Sequence, residues 1–303
     1  MNTSNLIFPT NRVVDIENCF LNVLKPLYPE QEIRTFFGLL CEAFLGWNKV
    51  ALLLHRNETV NQSDLLRFHW ALDDLKQYRP IQHIVGYTDF CGCRIVVNKN
   101  VLIPRSETEE MVCSLTSMYT GPMRCALDLC TGSGCIAISL KKKFPQCSVT
   151  AVDISSDALK TARTNATSNN VEVMFVQDDV LCFDRNNPYC GLEPPDNGWD
   201  LIVCNPPYVT ESEKSSINRN VLDYEPHLAL FVPDSDPMLF YRHIASFALH
   251  NISATGLLAV EINERFGQSV LNLLDTQGFD AVLHKDFRMK ERFVTASLKA
   301  SSR

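Results

Sequence analysis

Residues 125–153 admit few folds. An apolar run, Cys125–Leu129, ends in Cys130-Thr131-Gly132-Ser133-Gly134. A helical pattern, Cys135–Phe144, follows, and a second apolar run, Ser148–Val152, ends in Asp153. Glycines at a strand-to-helix turn let a ligand approach the backbone, and Gly132, Gly134 and Ala137 give the G-x-G-x-x-A spacing of such turns. Asp153 lies 21 residues beyond Gly132, where an acid can accept the hydroxyls of a ribose. Strand, crossover helix and strand make a parallel pair, which needs helices on both faces. A nucleoside-containing cofactor is expected at the carboxyl ends of these strands.

The alternation continues. Val171–Gln177, Trp199–Cys204 and Gly256–Ile262 read as strands, and helices are expected near 236–250 and 265–277. Asp280–His284 and Phe293–Leu298 read as an antiparallel finish. Residues 184–198 carry three prolines and two glycines and read as a surface loop. The first eighty residues have another texture: helical patterns over 12–24, from Pro29 to Gly46, over 48–54 and over 62–78. Pro26, Pro29, Gly46 and Pro80 punctuate them. Between Ile84 and Pro104 the period changes, and Cys93–Val97 with Val101–Ile103 suggests a hairpin. The expected fold is α/β: a Rossmann-like sheet with an antiparallel end, preceded by a small all-helical domain and a linking β-hairpin. The corresponding ranges are 1–80, 81–104 and 105–303.

Charge and cysteine usage narrow the partners. The formal net charge of −7 argues against a surface that grips nucleic acid throughout. No apolar run approaches the roughly 20 residues that span a bilayer, and no signal-peptide pattern opens the chain. The twelve cysteines form no C-x-x-C pair, so they read as small core residues and not as metal ligands. So many free thiols suit a reducing compartment, the cytoplasm.

A second feature suggests chemistry on nitrogen. The buried run Trp199–Cys204 must stop at Asn205-Pro206-Pro207-Tyr208, because proline lacks a backbone N–H and fixes φ. The resulting elbow holds an amide, free carbonyls and an aromatic ring. The Asn205 oxygen and the Pro206 carbonyl can accept the two protons of an amide or amino group, and Tyr208 can stack on its plane. Fixed acceptors would orient that nitrogen and stabilise positive charge developing on it. The cofactor reading sharpens on charge. Asp128 lies four residues before Gly132, and no Lys or Arg falls between Asp128 and Leu140. A pyrophosphate suits such a loop badly; the cationic S-adenosylmethionine suits it well.

The elbow together with the glycine turn resembles the amino-methyltransferases, which include adenine-N6 and protein glutamine-N5 enzymes. Three further stretches, Arg79–Gly86 with Phe90–Gly92, Val101–Glu110 and Tyr224–Leu230, are similar to the release-factor glutamine methyltransferase family (HemK/PrmC type). The likeness runs from residue 79 to the C-terminus, including Glu261 and Lys290–Arg292. The helical unit fits the family by position and type, as a domain that docks the substrate. The resemblance implies methylation, by S-adenosylmethionine, of the glutamine N5 in the Gly-Gly-Gln loop of peptide chain release factors. It implies cofactor contacts at Cys130, Thr131, Gly132, Ser133, Gly134, Asp153, Asp179 with Val180, and Asn205. It implies that Asn205, Pro206, Pro207 and Tyr208 hold the substrate glutamine.

The chain departs from the family pattern at Cys130, where Gly is usual, and at Ser106, where Pro is usual. Arg105-Ser106 also occurs in enzymes that methylate a ribosomal-protein glutamine; the acidic run Glu107–Glu110 and the hairpin spacing favour the release-factor branch. Arg105 reads either as a salt-bridged hinge residue or as a wall of the substrate channel. Glu107 and Glu109 read either as support for a helix N-terminus or as ligand contacts. Two other readings are adenine-N6 methylation of nucleic acid, disfavoured by charge, and a non-enzymatic nucleotide-binding module, which leaves the nitrogen clamp idle.

Overall fold

The computed structural model describes residues 8–119, 121–182, 192 and 194–300. The chain divides into two units, Met1–Gly86 with Arg219–Tyr224 and Tyr87–Asn218 with Glu225–Arg303. The first holds helices α1 (Val13–Leu24), α2 (Glu30–Leu45), α3 (Lys49–Leu54), α4 (Gln62–Lys76) and α5 (Ile81–Val85). Their ends follow local chemistry. Pro29 precedes α2, and Gly46 closes it in the left-handed region at φ 71°. The Asn48 and Asn61 side chains cap α3 and α4 by accepting backbone N–H groups. Phe20, Phe37 and Phe68 pack edge-on and tilted in the core of this unit. Residues 81–85, read from sequence as the start of the hairpin, form a helical turn instead. Pro80 sets its first residue, and Gly86 at φ 88° ends it.

The second unit opens with the hairpin β1 (Tyr87–Phe90) and β2 (Cys93–Val96), paired antiparallel. The strand expected at Val101–Ile103 does not form. Val101 and Ile103 are buried in the core. The Ile103 N–H donates to the Glu225 carboxylate at 2.9 Å, so no ladder partner is needed. Helix α6 (Ser106–Met118) leads into the alternation: β3 (Cys125–Leu129), α7 (Cys135–Lys143), β4 (Ser148–Asp153), α8 (Ser156–Ser168), β5 (Met174–Gln177), β6 (Trp199–Cys204). β5 starts later than expected because the Val171 N–H caps α8, donating to the Ala166 carbonyl. Most of the expected loop at 184–198, namely 184–191 and 193, lies outside the described residues. Beyond the elbow come the two-residue strands β7 (Val209–Thr210) and β8 (Phe231–Val232), which pair with each other; the short helix α9 (Arg219–Leu222), between them in the chain, belongs to the first unit. Then follow α10 (Leu239–Asn251), β9 (Ile252–Glu261), α11 (Gly267–Thr276), β10 (Phe279–Lys285) and β11 (Glu291–Leu298).

Seven strands form the main sheet in the order β10-β11-β9-β6-β3-β4-β5. The five from β9 to β5 are parallel; β11 and β10 are antiparallel, as the sequence suggested. The order runs outward from β3 to β5, then returns to place β6 on the other side of β3. The switch point therefore lies between the carboxyl ends of β3 and β6, where open α/β sheets bind ligands. Among the described residues, no helix is long and apolar enough to cross a membrane.

One buried amide ties the hairpin to this scaffold. Asn165 on α8 is 0% exposed; its Oδ1 accepts the Val96 N–H at 2.7 Å, and its Nδ2 donates to the carbonyls of Val96 (3.0 Å) and Ser133 (2.9 Å). Asn165→Ala removes the partner of three backbone groups, one buried and two part-buried, and is expected to cost about 3 kcal/mol. Urea unfolding should show a lower midpoint at an unchanged slope.

Candidate active site

Strand register builds the site. Leu129 lies opposite Cys204, and Cys204 opposite Val260. The next residues, Cys130, Asn205 and Glu261, therefore emerge side by side from three central strands. One cavity opens there. Its wall includes Arg105, Cys130, Thr131, Gly132, Ser133, Asp153, Asp179, Val180, Asn205 and Pro207 from the sequence-derived set. Asp128 and Gly134 do not line it; of the elbow, Pro206 and Tyr208 flank the lining residues Asn205 and Pro207 without lining it themselves.

The glycine turn is held at both ends. Thr131 N–H donates to the Val152 carbonyl, and Gly132 N–H to Asp153 Oδ2, at 2.9 and 2.8 Å. Cys130, Gly132 and Gly134 all have positive φ (57°, 54° and 80°). That conformation explains why glycine is the easier residue at 130. A Cβ on Gly134 would sit 3.0 Å from the Ala162 Cβ, so that glycine serves helix packing. A Cβ on Gly132 would meet no protein atom within 4 Å: the space before it is open cavity.

Asp128 lies beneath the turn, with no exposed surface. Its Oδ2 accepts the Thr131 hydroxyl (2.5 Å) and the Ala137 N–H (3.1 Å), while Oδ1 has no partner among the described residues. Burial pushes its carboxyl up to about 7, against the pull of those two hydrogen bonds. Asp153 is raised too, chiefly by burial. The wall carries three carboxylates, Asp153, Asp178 and Asp179, and one guanidinium, Arg105. Arg105 is already paired with buried Glu225 at 2.6 Å. This electrostatic balance fits a cationic ligand and disfavours a pyrophosphate. Ile154, Val180, Leu181 and Phe240 add apolar wall.

At the elbow, Asn205 Nδ2 donates to the Thr108 hydroxyl at 3.1 Å, and that hydroxyl donates to Glu261 Oε2 at 2.6 Å. The Tyr208 hydroxyl donates to Glu261 Oε1 at 3.0 Å. Arg105 makes the ion pair with Glu225 and also lines the cavity. Glu107 and Glu109 lie in the first turn of α6 and do not line the cavity. Glu109 accepts the Cys91 N–H, fastening the hairpin to that helix. Thr108, Glu225 and Asn165 carry no local signal in the sequence. Glu261 carries one: a lone acid ending the apolar run Leu257–Val260.

Comparisons with known proteins place the chain among methyltransferases. Residues 111–225 match the Methyltransferase small domain, and residues 24–86 match the PrmC N-terminal domain. A release factor glutamine methyltransferase of Flavobacterium psychrophilum is 40% identical over 288 residues, spanning 92% of this chain and 97% of that protein. One of Bacteroides thetaiotaomicron is 38% identical over 275 residues, spanning 90% and 96%. The chain belongs to the release factor glutamine methyltransferase family.

Proposed function

We propose that this protein methylates the side-chain nitrogen N5 of the glutamine in the Gly-Gly-Gln loop of peptide chain release factors, with S-adenosylmethionine as methyl donor. The observation that carries the reading is the meeting of the glycine turn and the Asn205 elbow in one carboxylate-rich cavity. The donor supplies an electrophilic methyl group on a sulfonium centre. The open space before Gly132 suits such a group. Asp153 is the acceptor for ribose hydroxyls; Asp179 and Val180, with Cys130, Thr131 and Ser133, complete its binding wall, and Gly134 keeps the turn against α8.

The chain's own residues act on the acceptor. A glutamine amide nitrogen is a weak nucleophile because its lone pair is delocalised. Asn205 Oδ1 and the Pro206 carbonyl accept its two protons and fix its position. They also stabilise positive charge as it forms on nitrogen. Pro206 and Pro207 stiffen the elbow, so little reorganisation is needed. The Tyr208 ring closes the elbow from beside the wall, steadied by its bond to Glu261. Arg105, braced by Glu225, borders the entrance for the substrate loop.

The partner is a protein, and the net charge of −7 speaks against a nucleic-acid substrate. The location of release factors makes the cytoplasm its place of action. Purified protein with labelled methyl donor is expected to label a release factor, and Gln→Ala in that factor's Gly-Gly-Gln loop to abolish labelling. Label on a ribosomal protein, DNA or RNA in place of the factor overturns the reading.

A further inference from the structure

We propose that Glu261, acting through Thr108, fixes which end of the Asn205 amide faces the cavity. The inference rests on the reading of Asn205 as the acceptor for the substrate amide. The oxygen and NH2 ends of an asparagine amide have nearly the same shape and opposite polarity. A flipped Asn205 would present donors to a substrate NH2, two sets of protons facing each other. Its own backbone does not prevent this; its neighbours do.

Proton counting shows how. The Thr108 hydroxyl has one proton and sits 2.6 Å from Glu261 Oε2. Burial raises the Glu261 carboxyl, while the hydrogen bonds from Thr108 and Tyr208 and the charge of Arg292 pull it down. As a carboxylate it only accepts, so the Thr108 proton goes to Glu261. Thr108 then offers Asn205 lone pairs alone, at 3.1 Å, and the amide must answer with Nδ2. Oδ1 takes the other direction. The second carboxylate oxygen is committed in the same way, accepting the Tyr208 hydroxyl. Glu261 is 1% exposed and Thr108 2%, so water does not compete for these bonds. The three residues come from the last position of β9, the first turn of α6 and the elbow. Glu261 and Thr108 are thus positioning residues.

The test uses the full chain with 15N-labelled asparagine. The Asn205 side-chain NH2 signals are identified by their absence in Asn205→Ala. Thr108→Ser, which keeps the hydroxyl, should leave them at hydrogen-bonded positions; Thr108→Val, which keeps the shape, should move them. In parallel, kcat for release-factor methylation should fall roughly 10- to 100-fold in Thr108→Val and stay within about threefold in Thr108→Ser. Glu261→Gln should resemble Thr108→Val, because glutamine offers one acceptor to two donors, and it carries the same readouts should the valine variant not fold. A packing role for Thr108 gives the opposite order, with valine active and serine impaired. That order, or Asn205 signals indifferent to both Thr108→Val and Glu261→Gln, overturns the proposal. If the signals respond as stated while the wild type methylates no release factor, the positioning stands and the substrate reading falls.

Discussion

Asn205→Ala is expected to lower kcat for release-factor methylation by about a thousandfold while the protein stays folded. Removal of one preorganised hydrogen-bonding group from a developing charge commonly costs 10²–10³. Here the same side chain also orients the nitrogen that must react, which adds a positioning loss. The fold should hardly notice. Asn205 is half-buried, and the backbone of the elbow is set by Pro206 and Pro207. Single-turnover transfer of labelled methyl groups gives the rate, and thermal unfolding followed by circular dichroism should remain within a few degrees of wild type. A separate titration with methyl donor distinguishes lost chemistry from lost cofactor. An alanine variant that methylates at the wild-type rate would mean that the clamp is wrong.

Asp128→Asn is expected to weaken methyl-donor binding by roughly 100-fold, because the carboxyl group holds Thr131 and the Ala137 N–H, and with them the turn that the donor faces. It should also alter how stability depends on pH, and the sign can be worked out. Burial raises the Asp128 carboxyl from 3.8 to about 7 in the folded chain. Between those values the folded protein holds a proton that the unfolded chain has released. Stability from this group is therefore full below about pH 4 and declines as pH rises towards 7, by at most about 1.4 kcal/mol per pH unit. The asparagine variant lacks this slope. Without ligand it should match or exceed wild type at pH 8, as happens when a site residue is kept for binding at some cost in stability. Urea midpoints from pH 5 to 8 and calorimetric titration with the donor measure both effects. Undiminished binding in the variant would mean that the turn keeps its shape without the Asp128 carboxyl group.

The parts of the site legible in the sequence are those where few residues can stand. A turn with three positive φ values selects glycine, so Gly132 and Gly134 announce it, and Cys130 is an unusual occupant. A Pro-Pro pair after a buried strand can only be a stop, so the elbow was plain. The supporting residues were less visible because each acts far along the chain. Thr108 and Glu261 are 153 residues apart, and Ile103 and Glu225 are 122. Local periodicity holds no record of such pairs. The same cause explains the strand misread at Val101–Ile103. Its branched side chains suit a strand, but a distant carboxylate takes its amide. The helical ends in the first unit were readable because proline and glycine decide them locally.

The three neighbouring strand ends have a consequence for how the enzyme comes into being. Cys130, Asn205 and Glu261 are adjacent in the sheet but belong to strands starting at residues 125, 199 and 252. During synthesis the glycine turn leaves the ribosome first, and the residue that orients the elbow, Glu261, comes 127 positions after Gly134. Parallel pairing between distant segments is slow, since long loops must close before contacts repay them. Until β9 docks beside β6, the nascent chain carries the motifs of the enzyme without a working corner. Catalytic competence is therefore among the last properties this chain acquires.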